Sequence, residues 1–310
     1  MKYCTLFIFI TFSISTFAGS DGYLFIEGKL STTKKWIEFS SKEKLSLKHL
    51  FQNLAKSKTG RDLIRSANKQ AKSYGKTLYD VVLAGKGSIT DTTLIRRFSP
   101  KRPDQVSYET RSKVYINRYL NEYDALLDLA HELTHFVHRK GFNPYDKDFS
   151  LSEFIVSTIE GNGGEVHAFM TECKVLNELF PGKLSTRFNC NKIMNSQSGK
   201  ISRDLAIKRF YSIGPYYSKF KDKLDTHGIA DDFPLVSNSE VGFVSSAYGM
   251  PYPVAAYHEY ITVLSKVCEN DKKRIAYMGK SSGIQRSVAS VDITKVKKDY
   301  LDRCSAVDSD

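Results

Sequence analysis

His131, Glu132 and His135 lie in the stretch LAHELTHFVHR, Leu129 to Arg139. In an α-helix, residues i and i+4 sit about 40° apart in projection and roughly 6 Å apart along the axis, so the two imidazoles point the same way. Ring nitrogens placed like that meet one zinc ion at roughly 2.0–2.1 Å. Glu132 falls about 100° round the helix from His131, beside the metal without taking a ligand position. A carboxylate there takes a proton from a zinc-activated water and later hands it to a leaving amine. The spacing separates the metal's ligands from the base, and the chemistry it suits is amide hydrolysis. His138 cannot join the pair. It lies seven residues beyond His131, about 10 Å along a straight helix, and no glycine before it bends the chain.

The motif needs a helix, and the sequence supplies one. From Asn121 the apolar period is 3.6, with Leu126, Leu127, Ala130, Leu133, Thr134 and Val137 on one side. Asn121 is a suitable N-cap, Glu122 and Asp124 suit the first turn, and Gly141 and Pro144 end the helix. Upstream, residues 23–40 alternate as strands do. Helices are expected over SSKEKLSLKHLFQNLAKS and over TGRDLIRSANKQAKSYG, the latter ending at Gly75. Three strands follow, TLYDVVLAG, TTLIRRF and KVYINRYL, with Pro100 and Pro103 marking a loop between the last two. Downstream, a helical tract from Ser152 to Leu179 is broken at EGNGGE, and SRDLAIKRFYSIG and PVAAYHEYITVLSKVCEN read as further helices.

On HELTH, the preceding strand KVYINR and the acidic helix downstream, the sequence resembles the zincin metallopeptidases over about residues 112–172. The resemblance implies a twisted sheet above the active-site helix, with an edge strand that holds extended substrate; Ser112–Arg118 is the expected edge. It also implies a third zinc ligand. The metzincin pattern needs a glycine and a third histidine that are absent, and the aspzincin G-T-x-D element is absent too. The gluzincin pattern takes a glutamate from a following helix. Glu153, Glu160 and Glu165 are the candidates, 18, 25 and 30 residues after His135. Glu165 is preferred because it opens a helix directly after the flexible GNGG, and Ala168 one turn on lets that helix come close. The pattern's usual asparagine and aspartate are replaced here by Gly164 and Phe169. Glu172, two turns after Glu165, is expected to brace a histidine. By the same resemblance a tyrosine or histidine stabilises the oxyanion, and Tyr248, His227, Tyr257 and His258 all qualify.

Met1-Lys2, an apolar run LFIFITFSISTFA, and small residues at Thr16 and Ala18 read as a signal peptide over residues 1–18. Its removal takes Cys4 and leaves Cys173, Cys190, Cys268 and Cys304. Proximity favours Cys173–Cys190 and Cys268–Cys304, and no C-x-x-C spacing suggests a cysteine zinc cluster. An apolar share of 41% with 26% charged residues is a globular balance, and no other segment approaches membrane-spanning length. The net charge of +12 is spread along the chain without a nucleic-acid motif, so it reads as a solvated basic surface able to meet an anionic envelope polymer. Residues 20–110 show no clear cysteine switch or dibasic cut that would mark a pro-segment.

The expected fold is therefore α+β and zincin-like: a small twisted mixed sheet with an edge substrate strand, the active-site helix beneath it, and a mainly helical C-terminal lobe. Residues 19–120 form the N-terminal helices and sheet, and residues 121–310 the HExxH helix, the third-ligand helix and the helical lobe. The expected activity is an exported, periplasmic or extracellular zinc metallopeptidase acting on protein or peptide. Its one catalytic Zn2+ is held by His131, His135 and Glu165, with Glu132 as general base. The alternatives are a non-catalytic envelope-binding protein on the same fold and a metal-dependent cell-wall amidase.

Overall fold

The computed structural model describes residues 8–12, 33–99, 102–146, 149–184, 188–245, 247–281 and 293–304. Four strands form one sheet: β1 (Ile8–Phe12), β2 (Val82–Gly85), β3 (Ile89–Ser99) and β4 (Arg102–Asn117), in the order β1-β3-β4-β2. β3 runs antiparallel to both β1 and β4, and β2 runs parallel to β4, so the sheet is small and mixed. Helices α1 (Glu43–Leu54), α2 (Lys58–Ser73) and α3 (Leu78–Val81) precede the long strands. After them come α4 (Glu122–His138), α5 (Leu151–Ile159), α6 (Glu165–Leu179), α7 (Phe188–Asn191), α8 (Arg203–Phe210) and α9 (Tyr217–Thr226). A two-residue ladder, β5 (Val244–Ser245) with β6 (Met250–Pro251), leads into α10 (Tyr252–Ser281), and α11 (Ile293–Cys304) closes the described chain. The class is α+β, as expected.

Helix α4 starts where the sequence says it should. The Asn121 side chain accepts the Asp124 N–H at 2.9 Å, and Glu122 and Asp124 face the positive end of the helix dipole. Its burial is more complete than one apolar face requires: every residue from Tyr123 to Phe136 is buried. α2, α6 and the long strands surround it, so Leu126, Leu127, Leu129 and Leu133 are fully enclosed. Each such leucine stabilises the fold by about 1.5–3 kcal/mol. The same enclosure takes His131, Glu132 and His135 out of water, which is costly without partners. One apolar cluster runs from Trp36 to Tyr257, across the expected division at residue 120. There Trp36 Nε1 donates to the Asn117 carbonyl at 2.8 Å.

Several expected elements differ. Of the alternating stretch 23–40, residues 23–32 lie outside the described residues, and Trp36–Phe39 is a 3-10 turn. TLYDVVLAG splits because a reciprocal cap, Thr77 Oγ1 and N to the Asp80 carboxylate, turns Leu78–Val81 into helix before β2 begins. TTLIRRF is the middle of a longer strand, KVYINRYL covers the end of β4 and runs three residues past it, and Pro103 lies inside β4 instead of a loop. Ser112–Arg118 is not an edge: Ser112 pairs with Thr92 of β3, and Asn117 pairs with Gly85 of β2. Of the expected signal peptide only Ile8–Phe12 is described. It is a strand on the outer edge of β3, with Phe12 opposite Thr92 and Ile10 opposite Leu94. The apolar residues of an export signal and of an edge strand are here the same residues.

The two expected disulfides are present. Cys173–Cys190 ties α6 to α7, and Cys268–Cys304 ties α10 to α11. No helix among the described residues is long and apolar enough to cross a membrane. Both facts are consistent with a chain that folds in an oxidising compartment.

Candidate metal centre

α4 and α6 pack against each other, and the loop between α5 and α6 makes the contact close. Gly163 adopts φ 76°, and a Cβ there would stand 2.2 Å from the Arg139 backbone nitrogen, so no other residue fits without displacing the end of α4. The Gly163 carbonyl accepts a hydrogen bond from His135 Nδ1 at 2.7 Å. That bond fixes the imidazole tautomer and turns Nε2 towards Glu165. The glycine run that breaks the helical tract therefore also orients a histidine.

Three side chains converge. His131 Nε2 lies 3.5 Å from Glu165 Oε2, and His135 Nε2 lies 3.6 Å from Glu165 Oε1. One ligand atom from each of the three falls within 4.8 Å of the others. Tetrahedral ligands at zinc-like bond lengths stand about 3.3 Å apart, so the spacing fits a single cation with little movement. The donor set, two imidazoles and one carboxylate, also fits. His131 Nε2, His135 Nε2 and both Glu165 oxygens are buried without a hydrogen-bond partner. Buried polar atoms are rarely left so, and a group of this composition could hold a metal ion. The geometry defines a possible metal-binding group and does not distinguish zinc from other divalent ions.

Glu172 Oε2 lies 3.5 Å from His131 Nδ1, an ion-pair distance without a hydrogen bond between them. Glu132 is fully buried, and Thr90 of β3 holds it, donating at 2.8 Å to both its carbonyl and its Oε2. Glu132 Oε1 has no partner. Burial pushes the Glu132 carboxyl up to about 8, against the pull of His131 and the Thr90 hydroxyl. Burial also drives His135 down to about 3. His131 goes the other way: burial disfavours its charge, but Glu165 and Glu172 beside it hold the imidazole well above its usual value. Burial would raise Glu165, yet the two imidazoles keep it below the ordinary carboxylate range.

The other expected site residues fall elsewhere. Glu160 caps the end of α5 next to Tyr211, and Glu153 is exposed in the first turn of α5. His138 packs against His167 with ring centroids 4.9 Å apart. Of the four oxyanion candidates, His227 and Tyr257 contact each other at 3.5 Å, with Tyr257 packed on Phe220, and His258 is exposed. Tyr248 senses the charge of Glu259. A further tyrosine, Tyr252, the first residue of α10, packs on Phe210 with ring centroids 4.9 Å apart. It is buried, and burial together with the nearby Glu165, Glu132 and Glu172 carboxylates pushes it well above its ordinary value. Tyr252 stays neutral and can donate a hydrogen bond. Its position four residues after Tyr248, in the same SSAYGMPYP stretch, is the signal available; Thr90 has none, being one threonine among several in a strand. No family model matches the chain, and no curated protein or solved structure is similar to it.

Proposed function

We propose that the chain is an exported zinc-dependent metallopeptidase of the zincin type. The reading rests on one observation: His131, His135 and Glu165 bring one ligand atom each to within 4.8 Å of the others, and these buried atoms have no hydrogen-bond partner. A divalent cation there supplies Lewis acidity and lowers the pKa of a water molecule to near neutrality. With a cation held by His131, His135 and Glu165, the Glu132 carboxyl would sit below the value that burial imposes and could accept a proton. Glu132 then takes the proton from water and delivers it to the leaving amine, while Thr90 keeps the carboxylate aimed. The Tyr252 phenol donates to the oxygen that gains negative charge. Glu172 and the Gly163 carbonyl keep the two imidazoles oriented.

The sheet supports a peptide as substrate. The outer edge of β3 adjoins Glu132 through Thr90, and Ile8–Phe12 lies on that edge as an extended antiparallel strand. A substrate segment uses the same backbone pairing. With the leader removed in export, residues 92–96 are open to it. Envelope binding without catalysis has less support, since a binding module has no use for Glu132. A cell-wall amidase shares the metal chemistry and differs in the cleft.

The decisive test pairs two variants of the mature chain. Glu132→Gln retains about one zinc per chain and loses peptide hydrolysis; Glu165→Gln loses both. Normal cleavage by Glu132→Gln removes that residue as the base and sinks the mechanism.

A further inference from the structure

A small cleft of about 20 Å³ opens between β3, the end of α4, α5 and α10. Leu94, Phe142, Phe154 and Val263 give it apolar walls, and Thr92 and Leu94 are the β3 residues on which an extended segment pairs. Two charged side chains line it as well. Glu259 is only 6% exposed, and its Oε1 has no hydrogen-bond partner. Arg139 follows the HExxH helix directly, its N–H bonded to the His135 carbonyl at 2.9 Å, and its Nε and Nη2 have no partner either.

Those two nitrogens form the side-on fork of the guanidinium, the edge that grips a carboxylate with two parallel bonds. Arg139 is therefore set out like a carboxylate receptor whose acceptor is missing. Lys140 also lines the cleft and is exposed, adding a second positive charge. Burial pushes the Glu259 carboxyl up to about 8, against the pull of the Arg139 guanidinium. The Arg139 N–H bond to the His135 carbonyl joins this cleft to the end of the helix that carries His131 and His135.

We infer that this cleft is a specificity pocket for a substrate carboxylate on a short apolar stem, received by the Arg139 fork. Two sources carry that chemistry, a glutamate side chain and the C-terminal carboxylate of the peptide. The inference deepens the peptidase reading and rests on it.

The test uses the zinc-loaded mature chain carrying Glu132→Gln, so that binding is read without turnover. Extended peptides differing only in one residue, glutamate or glutamine, and each with a free or amidated C-terminus, are titrated by calorimetry. Charge-assisted bidentate bonding predicts a roughly ten- to hundredfold preference for one carboxylate source over its neutral counterpart. Adding Arg139→Gln abolishes that preference, Arg139→Lys restores only part of it, and zinc content measured on each variant confirms an intact fold. Preference following the side chain identifies glutamate; preference following the terminus identifies a C-terminal carboxylate. Equal binding of all four peptides, or a preference that survives Arg139→Gln, overturns the pocket. Failure of the peptidase reading itself registers separately, as absence of hydrolysis of any of the peptides by the chain with Glu132 intact.

Discussion

Two buried charge clusters in this chain are built on opposite principles. Around Asp271, both carboxylate oxygens are taken: Arg96 Nη1 donates to Oδ1 at 2.8 Å and Arg303 Nη1 to Oδ2 at 2.7 Å. The Arg96 guanidinium also lies 4.0 Å from the centre of the Tyr145 ring, and Arg303 donates to the Tyr145 carbonyl. Around Glu165, both oxygens are buried and neither has a partner. The first cluster neutralises its charge within the protein and pins the sheet to α10 and α11. The second leaves its valences for something from outside. Burial alone does not separate them, since Asp271 and Glu165 are 3% and 0% exposed; the accounting of hydrogen-bond partners does.

That contrast can be broken or sharpened by experiment. The largest effect on stability is expected from Asp271→Ala, which strands two buried guanidinium groups. Urea unfolding should register a loss of about 3–5 kcal/mol, with zinc stoichiometry unchanged. A variant that loses zinc in proportion to its stability would erase the distinction between the clusters. Next come the disulfides, each expected to contribute about 2–4 kcal/mol. Replacing Cys173 and Cys190 by serine should also weaken zinc binding, because that bridge holds the helix bearing Glu165. Replacing Cys268 and Cys304 should cost comparable stability and leave zinc affinity alone; equilibrium titration of the two double variants compares them directly. Zinc itself should stabilise the chain by about 2.7 kcal/mol when free ion is a hundredfold above its dissociation constant. Thermal scans at graded zinc should show the rise in wild type and none in Glu165→Ala. The smallest effect is Thr90→Val, about 1 kcal/mol from one lost hydrogen bond. Its kcat should fall with KM little changed, since what it loses is the aim of Glu132.

Much of the metal cluster was legible in the residues because its logic is local. The i, i+4 spacing of His131 and His135 survives any tertiary arrangement, and Asn121 announces the start of their helix. Glu165 needed a distant argument, and the GNGG break provided it: glycines that interrupt an apolar period signal a backbone close approach, here to Arg139. The disulfides followed from proximity, with partners 17 and 36 positions apart. The Asp271 cluster was not legible. Arg96 and Asp271 are 175 residues apart, and neither type nor spacing distinguishes them from surface charges. The edge of the sheet was misjudged for a related reason. Strand order depends on which partners pair across the whole chain, and KVYINR carries the same alternation whether it lies at an edge or, as here, between β2 and β3. Tyr252 was passed over in favour of Tyr248 because loop tyrosines look alike until the turn that aims them is known.

The central claim is that His131, His135 and Glu165 hold one divalent cation. Anomalous diffraction at the zinc edge, on crystals of the zinc-loaded mature chain, tests it most directly. One peak is expected, about 2.0–2.2 Å from Nε2 of both histidines and from a Glu165 oxygen. A peak coordinated by other side chains, or none between α4 and α6 at saturating zinc, would contradict the account.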